Sequence, residues 1–571
     1  MEPNFNRNKN NDDERYTNPL AFKESKASDR QNRFLSLRKN KKMNMPIMKS
    51  GDEQIQEKYE LKQDSFDSNN NIIQNFFNSQ DKPTFLYQLL SSSNFNSQNS
   101  GDYDINLIKF IIVQCLNYFK SEKDNEENLK KFFTDSIITN LTDIMCLFKK
   151  DVNIVFSIAI LLRNLTRESD SITKLITLNS GNLQKIYDAL ENTNEHVASE
   201  ILKLLYNCCF INEEAVNPNI NIGVYVFNNL SNFVLNNNIE VIKNFFNSPY
   251  LGILISFLNL LINDNTKEIY KKFDSDNKNR IIYLLLVICR DALDDNLKYD
   301  AHKALKKLLD IITTPEELDV SKFGLVEVVS TFLPHLKLES NNPKIVLYSL
   351  NILDKFSYLS DTSQLIKLDL INQIEQILLT IIDINENIKN PKPYYKYYSK
   401  EIISKMLGSI SYIISNAMAD YEDENAKNAW KEFIINETRI IDYFVSCLKI
   451  MDFDEDDLIT IYDFFKDYFD GTLEKEKFIK LILSNFLEIV LIENLKNNII
   501  NKNFEIIQAI LELSLIMLQK AEKFSANQIN FVKIYLEKKG FNEMLTNIEG
   551  MDFGNASNSE MARNIQEKFF K

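Results

Sequence analysis

The chain has 571 residues, a net charge of −14, and only 11 glycines and 11 prolines. Gly and Pro each make up about 2% of the chain, against about 7% and 5% in an average protein, and sheet-rich or turn-rich folds need more of both. The six cysteines show no Cys-x-x-Cys spacing, which is typical of a reduced intracellular protein and excludes the common zinc motifs.

The charge is unevenly distributed between a short basic tail and a long acidic body. Residues 1–49 carry 12 Lys or Arg and 6 Asp or Glu, for a net charge of +6, whereas residues 50–571 have a net charge of −20. An acidic body repels nucleic acid and attracts basic partners. We find no signal peptide, and the longest apolar run, near residues 251–262, is too short to cross a bilayer. We therefore expect a protein of the cytoplasm or nucleus that contacts neither nucleic acid nor membrane directly.

The tail, residues 1–55, has a composition that predicts a flexible segment without its own core. Its basic part spans about 22–49, and residues 30–42 hold six cations and no acid: Arg30, Arg33, Arg38, Lys39, Lys41 and Lys42. Phe34 and Leu37 share one side of a helix, so this segment is expected to become helical on a partner. The alternative is a solvated tail or a localisation signal. Residues 56–83 follow as a predicted linker.

From residue 84 onward, apolar residues recur with the 3.6-residue period of an α-helix. The apolar stretch 158–166 contains a lone Asn164; it returns 43 residues later around Asn207 and a further 52 residues on around Asn259. A period of roughly 40–47 residues is typical of armadillo and HEAT repeats, which bury their apolar faces by stacking. The pattern predicts an all-α solenoid of about ten repeats over 84–571. The predicted repeats end near residues 122, 167, 213, 264, 313, 358, 420, 471, 522 and 571.

The recurrent Asn is a candidate binding residue. An Asn side chain carries both a donor and an acceptor, so it can hold the peptide unit of an extended ligand. Repeated at one place in successive repeats, such residues would form a ladder along one surface. The alternative is that each Asn satisfies the backbone of a neighbouring helix. We favour the ladder because three copies lie in register.

The sequence contains no phosphate loop, kinase motif, nucleophile elbow or zinc spacing, so we predict neither an enzyme nor a cofactor or metal site. A basic-aromatic cluster at 394–398 has two interpretations. It either stacks on nucleic acid or packs its tyrosines locally, and we favour local packing.

Several stretches, in chain order, resemble one known family. In four places an Asn lies four residues after another residue of interest: Asn164 after Ile160, Asn207 after Lys203, Asn259 after Ile255, and Asn416 after Tyr412. This resembles the Trp-x-x-x-Asn pattern in the third helices of importin-alpha, the nuclear import adaptor family, as in WALTNIAS and WTISNITAG. Residues 300–310 resemble its DACWALSYLSD stretch, residues 506–522 its IIQVALDGLENILKAGE stretch, and residues 537–545 and 562–570 its final repeat. Residues 30–42 resemble its importin-beta-binding core, R..R....LRK.KR.

The resemblance implies a right-handed superhelical armadillo solenoid behind a disordered basic N-terminal segment. It implies that a nuclear-localisation-signal peptide binds in the concave groove, and that importin-beta binds the six cations of residues 30–42. The cargo-binding residues would be Asn164, Asn207, Asn259, Tyr412 and Asn416. An export receptor would recycle the adaptor, which would shuttle between cytoplasm and nucleus. A structural armadillo scaffold without import activity is the alternative.

The chain departs from the family at the tryptophans that sandwich cargo lysines. Those positions are Ile160, Lys203, Ile255, Lys303, Tyr348, Tyr412 and Asp463. An absent aromatic face loses about 0.5–2 kcal/mol of cation–π interaction per site. The family also has a Lys-Arg-Arg cluster about ten residues after the LRK.KR core, where this chain has only Lys49. We therefore expect residues 1–55 to occupy the groove poorly.

Overall fold

The computed structural model describes residues 56, 58–62, 70–92, 104–190, 194–209, 216–236, 239–262, 274–312, 325–339, 341–359, 369–386, 395–419, 433–434, 438–450, 453, 455–470, 475, 478–479, 485–551 and 556–571. The six cations of residues 30–42 and the single tryptophan, Trp430, lie outside this described part.

Every regular element of the described residues is a helix, which confirms the predicted all-α class. The chain divides into two compact units, one of residues 1–229 and 244–261 and the other of residues 230–243 and 262–571. No helix in the described part is long and apolar enough to pass through a membrane.

The helices up to residue 261 are α1 (Asn71–Asn78), α2 (Lys82–Ser92), α3 (Ile105–Glu122), α4 (Glu126–Phe132), α5 (Asp135–Leu147), α6 (Val152–Glu168), α7 (Asp170–Leu178), α8 (Ser180–Asp188), α9 (Glu195–Cys209), α10 (Val216–Asn236), α11 (Ile239–Asn244) and α12 (Pro249–Leu261). In the first unit, α3, α6, α9 and α12 pack each on the next and form one row. A second layer, in which α2 packs on α5 and α5 on α8, flanks this row.

The helices of the second unit beyond residue 262 are α13 (Ser275–Asp291), α14 (Asp295–Ile311), α15 (Leu325–Phe332), α16 (Pro343–Leu359), α17 (Leu370–Glu386), α18 (Lys400–Ala419), α19 (Ile440–Ile450), α20 (Glu455–Asp470), α21 (Asn494–Asn501), α22 (Phe504–Phe524), α23 (Ala526–Lys538), α24 (Phe541–Glu549) and α25 (Ala556–Ile565). Here α14, α16, α18, α20, α22 and α25 pack each on the next as a second row.

Acidic caps and apolar interiors explain why the row helices form. Asp151 precedes α6, and its carboxylate accepts from the backbone N–H groups of Asn153 at 3.1 Å and Ile154 at 3.2 Å. Asp294 does the same for the first turn of α14. A carboxylate there satisfies free N–H groups and complements the helix dipole. From Ile154 to Leu162 every side chain of α6 is buried, as in a helix packed on all sides.

The structure has a helix inside the range predicted as a linker. Asn70 caps α1 by accepting from the backbone N–H of Ile72 at 2.8 Å. Ile73 and Phe76 are buried, and the Phe76 ring centroid lies 5.0 Å from that of Phe110 on α3. Two apolar residues one helical turn apart thus fix this Asn-rich stretch to the first unit.

Candidate functional site

The predicted ladder residues on the row helices differ widely in the solvent exposure of their side chains. In the first unit, Asn164 on α6 is half-buried, whereas Asn207 on α9 and Asn259 on α12 are buried. In the second unit, Asn416 on α18 is half-buried and Tyr412 is 49% exposed. The two rows therefore offer these side chains unequally to a ligand.

The amide of Asn207 joins its own helix to the preceding row helix. Its Nδ2 donates to the backbone carbonyl of Arg163 and to Oγ1 of Thr166, each at 3.2 Å. Thr166 in turn donates its hydroxyl to the Arg163 carbonyl at 2.8 Å. Asn207 therefore links α9 to the last two turns of α6.

A related arrangement occurs in the second unit at Asn416, where a carboxylate takes the place of the backbone carbonyl. Its Nδ2 donates to Oδ1 of Asp354 at 3.2 Å and to Oγ of Ser357 at 3.1 Å, both on α16. Ser357 donates to the Asp354 carbonyl at 2.6 Å, as Thr166 does to Arg163. Asn164 differs, because its Oδ1 accepts from Arg163 of its own helix at 3.1 Å. Asn207 and Asn416 thus connect successive row helices, and of the two only Asn207 donates to the backbone of the neighbouring helix.

The three first-unit positions at which the family resemblance expects tryptophans are buried. Ile160 is 1% exposed and Ile255 is completely buried. Lys203 is also buried, and its ammonium lies 2.8 Å from Glu200 Oε1. Glu200 is paired as well with Arg163 of α6. These charges partly neutralise one another, so Lys203 repels a basic peptide less than its sequence position suggests.

The second unit is more open along its row. Lys303 and Tyr348 are half-buried, and Tyr412 and Asp463 are exposed. Lys466 forms ion pairs with Asp463 and with Glu512 of α22, each at 2.6 Å. This row therefore carries aromatic and acidic side chains on a surface that solvent reaches.

Asp354 is the carboxylate of this row that its surroundings affect most. Its pKa is raised to about 7, chiefly by burial and also by the charge of Asp310, while Lys355 and the hydrogen bond from Asn416 oppose the rise. A carboxylate taken out of water favours its neutral form unless a cation compensates. Near neutral pH, Asp354 is therefore divided between the two protonation states.

A short segment of the chain lies on the surface of α3, α6 and α9 that includes Lys120, Phe156, Ser157 and His196, and we name this surface the row face. We name residues 58–62 the strap segment. The backbone N–H of Leu61 donates to Oγ of Ser157 on α6 at 2.8 Å, and both residues are buried. The ring centroid of Tyr59 lies 5.7 Å from those of Phe156 on α6 and His196 on α9. Glu60 pairs with Lys120 of α3 at 2.9 Å. The strap segment thus contacts three successive row helices.

These contacts lie on the same helix faces as the predicted ladder. On α6, Phe156, Ile160 and Asn164 follow one another at four-residue spacing, which places them on one face. On α9, His196 and Lys203 share a face in the same way. Sequence reasoning missed the strap segment, because residues 56–83 have the composition of a linker.

The aromatic cluster at 394–398 is described in part. Tyr398 is buried, and its hydroxyl donates to the Leu338 carbonyl at 2.8 Å. Tyr397 is 58% exposed beside Lys396, whose ammonium lies 4.8 Å from the ring centroid. At least Tyr398 packs locally, as we favoured from the sequence. No group of three His, Cys, Asp or Glu side chains in the described ranges is placed to hold a metal ion.

Comparison with known proteins adds little to this description. No family model and no curated protein matches the chain. Among solved structures, the crystal structure of SYS-1 is similar with a TM-score of 0.39 and 13% sequence identity, over 87% of this chain and 98% of that one. We draw nothing about function from a similarity at that level.

Proposed function

We propose that this chain is an armadillo-type nuclear import adaptor. Residues 30–42 would bind importin-beta, the row face would bind an extended cargo peptide, and the C-terminal repeats would meet an export receptor. The proposal includes the right-handed superhelical form of the repeats and shuttling between cytoplasm and nucleus. It requires neither catalysis nor a cofactor.

One observation carries the peptide-binding part of this proposal. The strap segment lies on the row face and is held there by a main-chain hydrogen bond from Leu61 to Ser157. A side chain on a row helix thus contacts the backbone of a segment that lies 96 residues away in sequence. This is the kind of contact with which a ladder holds a peptide, although a serine makes it here and not an Asn.

Receptor binding rests on the charge pattern of the tail. Six cations without an acid would pair with acidic residues of importin-beta and would gain on-rate from their concentrated charge. The test is a pull-down of purified importin-beta with the full chain and with a chain that lacks residues 1–49. We expect the full chain alone to retain importin-beta. Equal retention by both chains would contradict the proposal.

A structural scaffold is the second candidate, and the contacts of Asn207 and Asn416 favour it. Both side-chain amides donate to the preceding row helix. A role in holding the fold together is therefore enough to explain why an Asn stands at each position. A scaffold has no need for residues 30–42 to bind importin-beta. The same pull-down therefore separates the two candidates.

A further inference from the structure

A cavity of about 460 Å³ lies among the described residues of the second unit, where α20 and α22 begin and α19 and α21 end. Four apolar side chains form its wall: Leu448 of α19, Phe453, Leu458 of α20 and Ile506 of α22. All of these except Phe453 are buried. Such a wall suits a ligand side chain that is apolar along its body and carries a polar group at its tip.

The rim of this cavity consists mainly of carboxamides and acids. The exposed side chains of Asn497 and Asn501 lie one turn apart on α21. Glu455 and Glu493 stand against a single lysine, Lys449, so the charged residues of the rim have a net charge of −1. The rim therefore offers hydrogen-bond acceptors and favours a ligand with positive charge.

The chain itself fills the corresponding place between α16 and α18. Tyr398 comes shortly before α18 and is only 7% exposed. Its hydroxyl donates at 2.8 Å to the backbone carbonyl of Leu338, in the turn that precedes α16. Helices α16 and α18 are successive in the row and pack on each other, as α20 and α22 do. Tyr398 therefore shows which side chain fits where two successive row helices begin.

The length of a connection explains why the two places differ. Residues 387–399 connect α17 to α18 and supply Tyr398, whereas only Lys502 and Asn503 connect α21 to α22. Lys502 adopts the left-handed conformation, with a φ of 58°, and the N–H of Asn503 donates to the Asn498 carbonyl at 3.1 Å. A turn this tight closes the end of a helix and has no residue to place in the cavity.

We propose that the cavity between α20 and α22 is a docking site for a tyrosine of a partner protein, carried on a short basic segment as Tyr398 is carried next to Lys396 in this chain. The ring packs against Phe453 and Leu458, the hydroxyl donates to a carboxamide oxygen of the rim, and the flanking lysine pairs with a rim carboxylate. The inference goes beyond the proposed import function, because it concerns neither the row face nor residues 30–42.

The experiment uses the full chain and a fluorescent peptide with the sequence of residues 390–399, Asn-Pro-Lys-Pro-Tyr-Tyr-Lys-Tyr-Tyr-Ser. Asn497→Trp should weaken the binding of this peptide at least about tenfold, because an indole at the rim occupies the space of the tyrosine ring. Circular dichroism of each protein establishes that it is folded.

Lys496→Trp is the matched control. Lys496 is the neighbouring exposed residue of α21 and does not line the cavity, so this variant should bind within about threefold of the parent. Failure of the parent to bind the peptide saturably would overturn the inference, and so would equal affinities of the Asn497 and Lys496 variants.

Variant peptides test the ligand class. A peptide with serine in place of all four tyrosines should bind at least about tenfold more weakly, since it has no ring to fill the cavity. A peptide with phenylalanine at these positions should bind about fivefold more weakly, because the hydrogen bond of the hydroxyl is lost. Unchanged binding of the serine peptide would overturn the assignment of a tyrosine, and unchanged binding of the phenylalanine peptide would overturn the hydroxyl contact.

Removal of Tyr398 tests whether the two places are equivalent. Tyr398→Ala opens the place between α16 and α18, so the folded variant should bind two peptides per chain where the parent binds one. One peptide per folded variant chain would overturn the equivalence. Importin-beta and the export receptor are absent from all of these titrations. The tyrosine site can therefore fail while the import proposal stands, and the reverse also holds.

Discussion

Asn416 on α18 donates its side-chain amide to Oδ1 of Asp354 on α16 at 3.2 Å. The contact joins two successive helices of the row in the second unit, and Asn207 joins α9 to α6 in the first. A residue that the sequence predicts to bind a peptide thus also connects two successive row helices. Several measurements separate these roles.

Replacement of Asn207 tests the connecting role in the first unit. Asn207→Ala should lower the free energy of unfolding by about 1–2 kcal/mol, because the Arg163 carbonyl and the Thr166 hydroxyl lose a buried donor. Urea denaturation followed by circular dichroism measures the change. Asn164→Ala is the matched control, since Asn164 is half-buried and its Oδ1 accepts from its own helix. Unchanged stability of the Asn207 variant together with weaker peptide binding would favour the ligand role.

Asp354 should make the stability of the second unit depend on pH near neutrality. Its folded pKa of about 7 lies above the ordinary 3.8, so between these values the folded state holds a proton that the unfolded state has released. Its contribution to stability is therefore greatest below about pH 4 and is lost as pH rises to about 7. Asp354→Asn should stabilise the protein at pH 8 by on the order of 1–3 kcal/mol, and much less at pH 4.

Thermal melts at pH 4 and pH 8 measure this difference. Asp463→Asn serves as the comparison, because Asp463 lies exposed on α20 and is not removed from water by burial. A gain for Asp354→Asn that is equal at both pH values would show that the Asp354 carboxyl titrates normally.

Two buried histidines should produce the opposite pH dependence. Burial lowers the pKa of His302 to about 3 and that of His335 to about 4, and their ring centroids lie 5.0 Å apart. The unfolded state takes up protons below about pH 6.5, so this contribution to stability is present above that value and is lost as pH falls towards 3. His302→Leu should reduce the loss of stability between pH 7 and pH 5 by on the order of 1–2 kcal/mol. Parallel stability curves for parent and variant would contradict the assignment.

A tryptophan at position 203 should shift the first unit towards lysine-rich peptides. Lys203→Trp supplies an aromatic face and leaves Glu200 with Arg163 as its cation. A lysine-rich peptide should bind more tightly by roughly 1–2 kcal/mol at low salt. Lys203→Met removes the charge without adding the ring, so the difference between the two variants isolates the aromatic contribution. No gain with either variant would place the peptide elsewhere.

The sequence predicts the helices of this chain better than it predicts their surfaces. Row helices α6, α16 and α20 end at Glu168, Leu359 and Asp470, close to the repeat ends placed near 167, 358 and 471. Apolar period and acidic caps are local properties, so they can be read from the sequence. Whether an Asn faces a ligand or the preceding helix depends on which acceptor atoms lie beside it, and the packing of the helices determines that.

The strap segment illustrates the same limit. Nothing local distinguishes Tyr59, Glu60 and Leu61 from other residues of an acidic linker, because their partners are provided by α3, α6 and α9. Ile160 and Lys203 likewise occupy positions that the family resemblance assigns to an open groove, and tertiary packing buries both.

The central claim is that residues 30–42 link this chain to importin-beta, and a binding titration tests it most directly. The full chain should bind purified importin-beta, and Arg38→Glu with Lys39→Glu should weaken that complex by roughly 100-fold or more, because two attractive contacts become repulsive. Arg7→Glu with Lys9→Glu is the matched reversal outside the basic segment and should bind within about threefold of the parent. If the variant reversed at Arg38 and Lys39 is folded and binds importin-beta as tightly as the parent, the chain is not an import adaptor of this kind.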